Sequence, residues 1–392
     1  MTATSSQELT YDPSDRELIK NPFSMFRRLR EEAPLYHNEE QGFYALSRFD
    51  DVERALVDKD TYLSGRGVTL GMLKGGFEIP PGTVLFEDPP SHTVHRKLLS
   101  RMFTPKRVAE LESKTRQFCV ELLDPLVGCD GFDFIDDLGK HVPTRVISML
   151  IGIPDQDRDG VRDRLGSFVL DSGGELLSGE MFAEYIDWRV DHPSDDIMTQ
   201  LLYAEFEDAD GETRRLTREE LLAYVNIVAL AGNHTTRLLI GWMGKLLGDH
   251  ADQRRLLVED PSLIPNAVEE SLRLEGPAAQ SARYVARDVE LYGQTVPAGS
   301  HMALLMLSAN HDDRRFDDPD RFDVRREIGQ HLTFGFGPHY CLGAALARLE
   351  ARVVLEEVLA RFPDWEVDEA GIQMIDGDMD LRGMLRVPVV IR

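Results

Sequence analysis

From residue 217 to about residue 248 the sequence runs some thirty residues without a proline, and no other stretch limits the fold as much. Thr217 and Glu220 open it with the S/T-x-x-E pattern of a capping box, which marks a helix start. At 1.5 Å per residue such a helix is roughly 46 Å long, the width of a whole domain. Leu221, Leu222, Val225, Val228, Ala229, Leu238, Leu239, Trp242, Leu246 and Leu247 cover more than one of its faces, so it has to run through an interior. The spacing of apolar residues predicts further helices over 108–123, 143–153, 265–274 and 342–361. Gly276-Pro277 stops the third of these, and Pro363 stops the last. Short β-like stretches are expected at 43–47, 285–292, 302–307 and 387–391. The expected class is mainly α with small β-sheets. With no internal repeat and no linker, one domain over residues 1–392 is expected, its first twenty residues loosely ordered.

Composition narrows the function. Lys plus Arg number 44 and Asp plus Glu 69, a formal net charge of −25. A chain this acidic is a poor candidate for sequence-independent nucleic-acid binding, which depends on basic surface. Cys119, Cys129 and Cys341 form no CxxC pair, which fits a reducing cytoplasm. The first eleven residues carry no basic and apolar leader, and charge breaks every apolar run before 18 residues, so no membrane partner is expected.

Residues 334–344 read Phe334-Gly335-Phe336-Gly337-Pro338-His339-Tyr340-Cys341-Leu342-Gly343-Ala344. A turn with two glycines delivers a cysteine to the start of an apolar helix. Free backbone N–H groups and the positive end of the helix dipole favour a thiolate there. Gly335 and Gly337 are expected to let the backbone fold back and donate hydrogen bonds to the sulfur, as outer partners of metal ligands do. Read alone, Cys341 is equally a buried structural cysteine. Upstream, Glu270 and Arg273 stand at i and i+3, the spacing of an ordinary surface ion pair. His92 and Arg96 stand at i and i+4, so both can reach one anion. In the middle of the long helix, Ala231-Gly232-Asn233-His234-Thr235-Thr236 interrupts the apolar run. Glycine inside a helix costs about 1 kcal/mol relative to alanine, so packing or function has to require it.

The cysteine segment resembles the haem-binding signature of the cytochromes P-450, F-x-x-G-x-x-x-C-x-G, with Phe334, Gly337, Cys341 and Gly343 in its fixed places. The resemblance extends over nearly the whole chain. It implies a single-domain, mainly helical cytochrome P-450 fold that encloses haem b, with Cys341 as the axial ligand of the iron. It implies a buried structural triad of Glu270, Arg273 and Arg321, the last in Pro319-Asp320-Arg321-Phe322. His92, Arg96, Arg283 and His339 take the places of the haem-propionate partners, with Arg287 close enough to compete with Arg283. Ala231 and Gly232 would let haem and oxygen lie close to the central helix, and Thr235 matches the alcohol that helps deliver protons. The family pattern there is A-G-x-acid-T-T or similar. Here the acid's place holds His234, which either relays protons itself or packs in the core. The Gly- and Pro-rich stretch 64–92 resembles the family's substrate-covering loop. Leu230, Asn233, Ala278, Ala279 and Met384 are the expected walls of an apolar substrate pocket.

The resemblance thus implies a soluble, cytoplasmic monooxygenase that inserts one oxygen atom from O2 into an apolar small molecule, most often as C–H hydroxylation. About 50 residues follow Cys341, too few for a further redox domain. Electrons are therefore expected from a ferredoxin and its reductase. Two rivals remain at this stage. One is a peroxygenase that takes H2O2 directly, kept open by the altered acid position. The other is a haem-bound ligand carrier or sensor without turnover, against which Thr235 speaks.

Overall fold

The capping box does start the long helix. In the computed structural model, which describes residues 9–75, 82–158, 160–161 and 180–392, helix Arg218–Asp249 runs unbroken for 32 residues. The Thr217 hydroxyl accepts from the Glu220 N–H at 3.2 Å, and the Glu220 carboxylate accepts from the Thr217 N–H at 2.8 Å. Arg214 grips the same carboxylate at 2.7 and 2.8 Å, so the cap is also a charged anchor.

Two glycines let other backbone come close to this helix. A Cβ at Gly244 would lie 2.4 Å from Cγ of Phe134, and one at Gly241 would lie 2.6 Å from Cδ1 of Ile135. The π-helical turn Phe134–Gly139 therefore lies directly on it. Helices Val142–Ile151, Ile264–Glu275 and Ala344–Arg361 pack around the remaining sides, and one large apolar core joins them.

A five-stranded mixed sheet stands beside the helices. Its order is Leu35–Asn38, Phe43–Leu46, His301–Leu304, Ser281–Val285, Tyr62–Leu63. The second and third strands are parallel and the other neighbours antiparallel, with Met302 opposite Arg283. A smaller sheet joins Trp365–Val367, Pro388–Ile391 and Gly131–Asp133.

Several boundaries differ from expectation. The single helix over 108–123 is two, Pro105–Glu110 and Glu112–Leu123, because Thr104 and Pro105 start a separate turn. The strand over 285–292 is likewise two, Ser281–Val285 and Val289–Leu291. The strand at 302–307 becomes helix Met306–Asn310 after Leu304. Residues 9–20 are not loose. Tyr11 is fully buried, and its hydroxyl donates to Oε1 of Gln280 at 2.7 Å. Asp15 caps a short helix, Arg16–Lys20. Residues 1–8 and part of the 64–92 loop lie outside the described residues. No described helix is long and apolar enough to cross a membrane.

Candidate active site

A cavity opens between the middle of the central helix and the segment leading into helix Ala344–Arg361. It offers about 310 Å³ to the centres of water-sized spheres. Ala231, Gly232, Thr235 and Thr236 line it from the central helix; Cys341, Leu342, Gly343 and Leu346 line it from the cysteine segment. Ala231 is the one exposed residue between Glu220 and Leu247, on a helix otherwise enclosed. The Thr235 hydroxyl donates to the Ala231 carbonyl one turn back at 2.9 Å, which leaves its oxygen lone pairs turned to other donors.

Of the two residues flanking Thr235, Thr236 shares the cavity wall and His234 does not. Burial, with Arg237 adding to it, pushes the His234 imidazole down to about 4, so this side chain is neutral in the physiological range. Asn233, expected as a pocket wall, is buried elsewhere and accepts from the Thr144 hydroxyl at 2.8 Å, tying the central helix to Val142–Ile151. Gly232 does line the cavity, but its missing Cβ is explained by a different neighbour. A Cβ there would lie 2.9 Å from Cδ1 of Ile147.

The cysteine sits three residues before its helix, in a turn that only glycine makes easily. Gly335 and Gly337 have φ of +67° and +71°, in the left-handed region. This returns the chain so that the Cys341 N–H donates to the Phe334 carbonyl at 2.8 Å. Phe334 and Gly335 line the cavity, and the Arg348 guanidinium lies 4.6 Å from the Phe334 ring centre. The sulfur's donors are not the expected ones. The Gly335 N–H is used by the Leu332 carbonyl, whereas the N–H groups of Gly343 and Ala344 point at the sulfur. Burial raises the Cys341 thiol, and those two N–H groups with Arg96 and Arg348 act in the opposite direction.

His92, Arg96, Arg283 and His339 all meet at one corner of the cavity. The two imidazoles lie 4.1 Å apart. Nε2 of His92 is buried without a partner. Arg283, buried in its strand, donates to Ser281 Oγ at 2.8 Å and the Ala282 carbonyl at 2.7 Å, with no carboxylate bound to it. Its burial pushes it down to about 10, with Asp88 the one charge that opposes the shift. Arg96 donates to the Tyr340 carbonyl. His339 is pushed to about 3 by burial, then by His92, Arg283 and Arg96. Arg287 does not join this group; it is 63% exposed and faces Asp58 and Thr61.

Away from the cavity, Glu270 and Arg273 are fully buried and paired at 2.7 and 2.9 Å. The third member of this triad is Arg326, not Arg321. Nε of Arg326 donates to Glu270 at 2.9 Å. Arg321 is 60% exposed beside Asp323, and only its carbonyl serves the cluster, accepting from both Arg273 and Arg326.

Of the expected substrate walls, Ala278 lines the cavity and the others do not. Leu230 packs against the core. Ala279 is fully buried under the sheet, and its carbonyl accepts from Leu307. Met384 borders a separate cleft near Ile19 and Trp242. Pro277, next to Ala278, also lines it, and Val68, Val84 and Leu85 do so from the stretch expected to cover the substrate; the apolar walls missed in the sequence include Ile147 and Ile227. Also missed was Glu350, fully buried on helix Ala344–Arg361 with Oε2 unpartnered; burial alone raises its carboxyl well above the usual range. An acid four residues after Leu346 on an apolar helix face was the available signal.

The fold and this cavity define a haem-thiolate monooxygenase scaffold, and comparison with known proteins agrees. A family model described as Cytochrome P450 matches residues 180–389. The chain is 38% identical to Cytochrome P450 130 of Mycobacterium tuberculosis over 99% of each chain. It is 33% identical to the Vitamin D(3) 25-hydroxylase of Pseudonocardia autotrophica, over 100% of this chain and 98% of the other. The solved structure of CYP109Q5 from Chondromyces apiculatus superposes with a TM-score of 0.87 at 35% identity, over 97% and 98% of the two chains. The chain belongs to the cytochrome P450 family. It is an oxidoreductase of the monooxygenase type, with haem b as cofactor.

Proposed function

We propose that the chain hydroxylates an apolar small molecule in this cavity, with Cys341 as the residue whose thiolate would hold the haem iron. When bound, haem would supply the activation of O2 with two electrons, and the cysteine thiolate would tune it for that chemistry. The observation that carries the reading is the cation corner. Several positive or proton-donating groups crowd together in a buried place with no carboxylate of the chain bound to Arg283. Buried charge has to be compensated, and two propionates would compensate it. His92, Arg96, Arg283 and His339 are therefore assigned to the propionates. Phe334, Gly335, Gly337 and Gly343 shape the cysteine turn.

Ala231 lets the substrate approach the central helix, and Thr235 holds and passes protons at its hydroxyl. His234 is assigned to packing. The substrate is apolar because Val68, Val84, Leu85, Ile227, Pro277 and Ala278 face it. The vitamin D relative, by its name, acts on a molecule of that kind. Electrons come from separate proteins, a ferredoxin and its reductase, in the cytoplasm.

The test is the reduced CO complex. The wild type and Cys129→Ser should give the strongly red-shifted Soret band of a thiolate ligand, and Cys341→His should lose it. A band retained in Cys341→His overturns the assignment. One observation favours a second reading: no acid stands beside Thr235, and His234 is turned away. H2O2 brings its own protons, so a peroxygenase would not need the relay. Turnover with H2O2 alone, exceeding that with a reductase system, would select it.

A further inference from the structure

The described wall of the cavity nearest the 64–92 loop is held by a joint that the haem chemistry does not use. Val84 and Leu85 line the cavity from the short 3-10 turn Val84–Phe86. They are apolar and make no polar bond with their side chains. The polar attachment comes immediately after them. Both carboxylate oxygens of Glu87 lie 2.8 Å from Nδ1 of His95, on helix Ser91–Ser100. The two side chains are 13% and 8% exposed, so the pair is shielded from water. The His95 ring stands edge-on to Tyr224 of the central helix at 5.6 Å and to Phe206 at 6.0 Å. The Glu87 carbonyl accepts from the His339 ring. Asp88 accepts from the N–H groups of Ser64 and Gly65, both at 2.9 Å. The nearby Glu220 carboxylate is already held by Arg214 and does not compete for His95.

We propose that Glu87 and His95 form a latch that positions the Val84–Leu85 wall and so sets how fast molecules enter and leave the cavity. This rests on the reading of the cavity as the substrate site. The physical basis is the cost of leaving a carboxylate both buried and unpaired. While His95 holds Glu87, the wall cannot move without breaking a charged hydrogen bond in a shielded place. Without His95, Glu87 reaches its lowest energy by turning to water, and the wall moves with it. Both residues are positioning residues; neither is assigned to the haem or the substrate.

The experiment uses the haem-loaded protein and 4-phenylimidazole, an apolar probe that ligates haem iron, so the true substrate need not be known. Stopped-flow absorbance in the Soret band gives the entry and exit rates. His95→Leu and Glu87→Gln should raise both rates together, roughly tenfold or more for loss of a charged hydrogen bond, with Kd within about twofold. His95→Asn, which keeps a donor near the Nδ1 position, should restore rates close to wild type. Hydrogen exchange of the 82–90 backbone should speed up in His95→Leu and not in His95→Asn. Unchanged rates and unchanged exchange in His95→Leu, with the CO band intact, overturn the latch. A weaker Kd from faster exit alone also overturns it, since that is damage to the binding surface. If the wild type gives no thiolate CO band, the haem-ligation reading fails instead, and exchange at 82–90 still decides the latch.

Discussion

Replacing Arg326 should unsettle the protein far more than replacing Arg321, although sequence resemblance points to Arg321. Arg326 is 11% exposed and Glu270 is fully buried. The guanidinium donates to Glu270 at 2.9 Å, to the Asp317 carbonyl at 2.5 Å, and to the Asp318 and Arg321 carbonyls at 2.9 and 2.8 Å. Arg326→Ala takes one donor from each of these acceptors, and the loss matters most at buried Glu270. Breaking a buried pair by removing one partner costs about 3–5 kcal/mol. Glu270 keeps Arg273 and the Asp323 N–H, so the lower end, about 3 kcal/mol, is expected. Unfolding entropy of about 2.1 cal/mol/K per residue gives about 0.8 kcal/mol/K for a chain of this length, so Tm should fall by roughly 4 °C. Arg321→Ala keeps the backbone carbonyl that serves the cluster and removes only an exposed side chain. It should cost within about 0.5 kcal/mol, under about 1 °C. Thermal melts of the haem-loaded variants by circular dichroism measure both. An equal or larger loss in Arg321→Ala would refute the argument, because the buried side chain would then not carry the energy.

His234→Leu should leave the pH dependence of turnover unchanged between pH 6 and 8, where a group lowered to about 4 carries no charge. The folded imidazole lies below the unfolded value of about 6.5, so the unfolded chain binds more protons between those two limits. Wild-type stability is therefore full above about pH 6.5 and falls towards pH 4, and denaturant titrations should show the variant losing less over that window. Tyr224→Phe removes a fully buried hydroxyl that has no partner and should stabilise by about 1 kcal/mol, read from the guanidinium midpoint. Gly244→Ala drives a methyl into Phe134 and should cost about 1–3 kcal/mol in the same titration, with the CO band retained.

The sequence by itself determined what depends on local pattern. The capping box and apolar run at 217–248 specify the central helix, because both act within a few turns. The glycines before Cys341 specify the turn, because only glycine adopts positive φ there without strain. The members of the cation corner were legible as well through the resemblance, in three separate segments, with Arg283 set against Arg287 until the fold placed Arg283 at the cavity and Arg287 outside it. What the tertiary structure alone decided concerns choices between equivalent side chains at a distance. Three arginines, 321, 325 and 326, follow within six residues, and only the fold around Glu270 shows which one is buried. His234 and Thr235 are neighbours in sequence, yet a helix turns successive side chains about 100° apart, so one lines the cavity and the other does not. Gly232 was read as room for oxygen, whereas the close neighbour is Ile147, 85 residues earlier. The Glu87–His95 joint leaves no periodic or motif signal. It exists because folding removes both side chains from water, and burial is a property no single residue carries in the sequence.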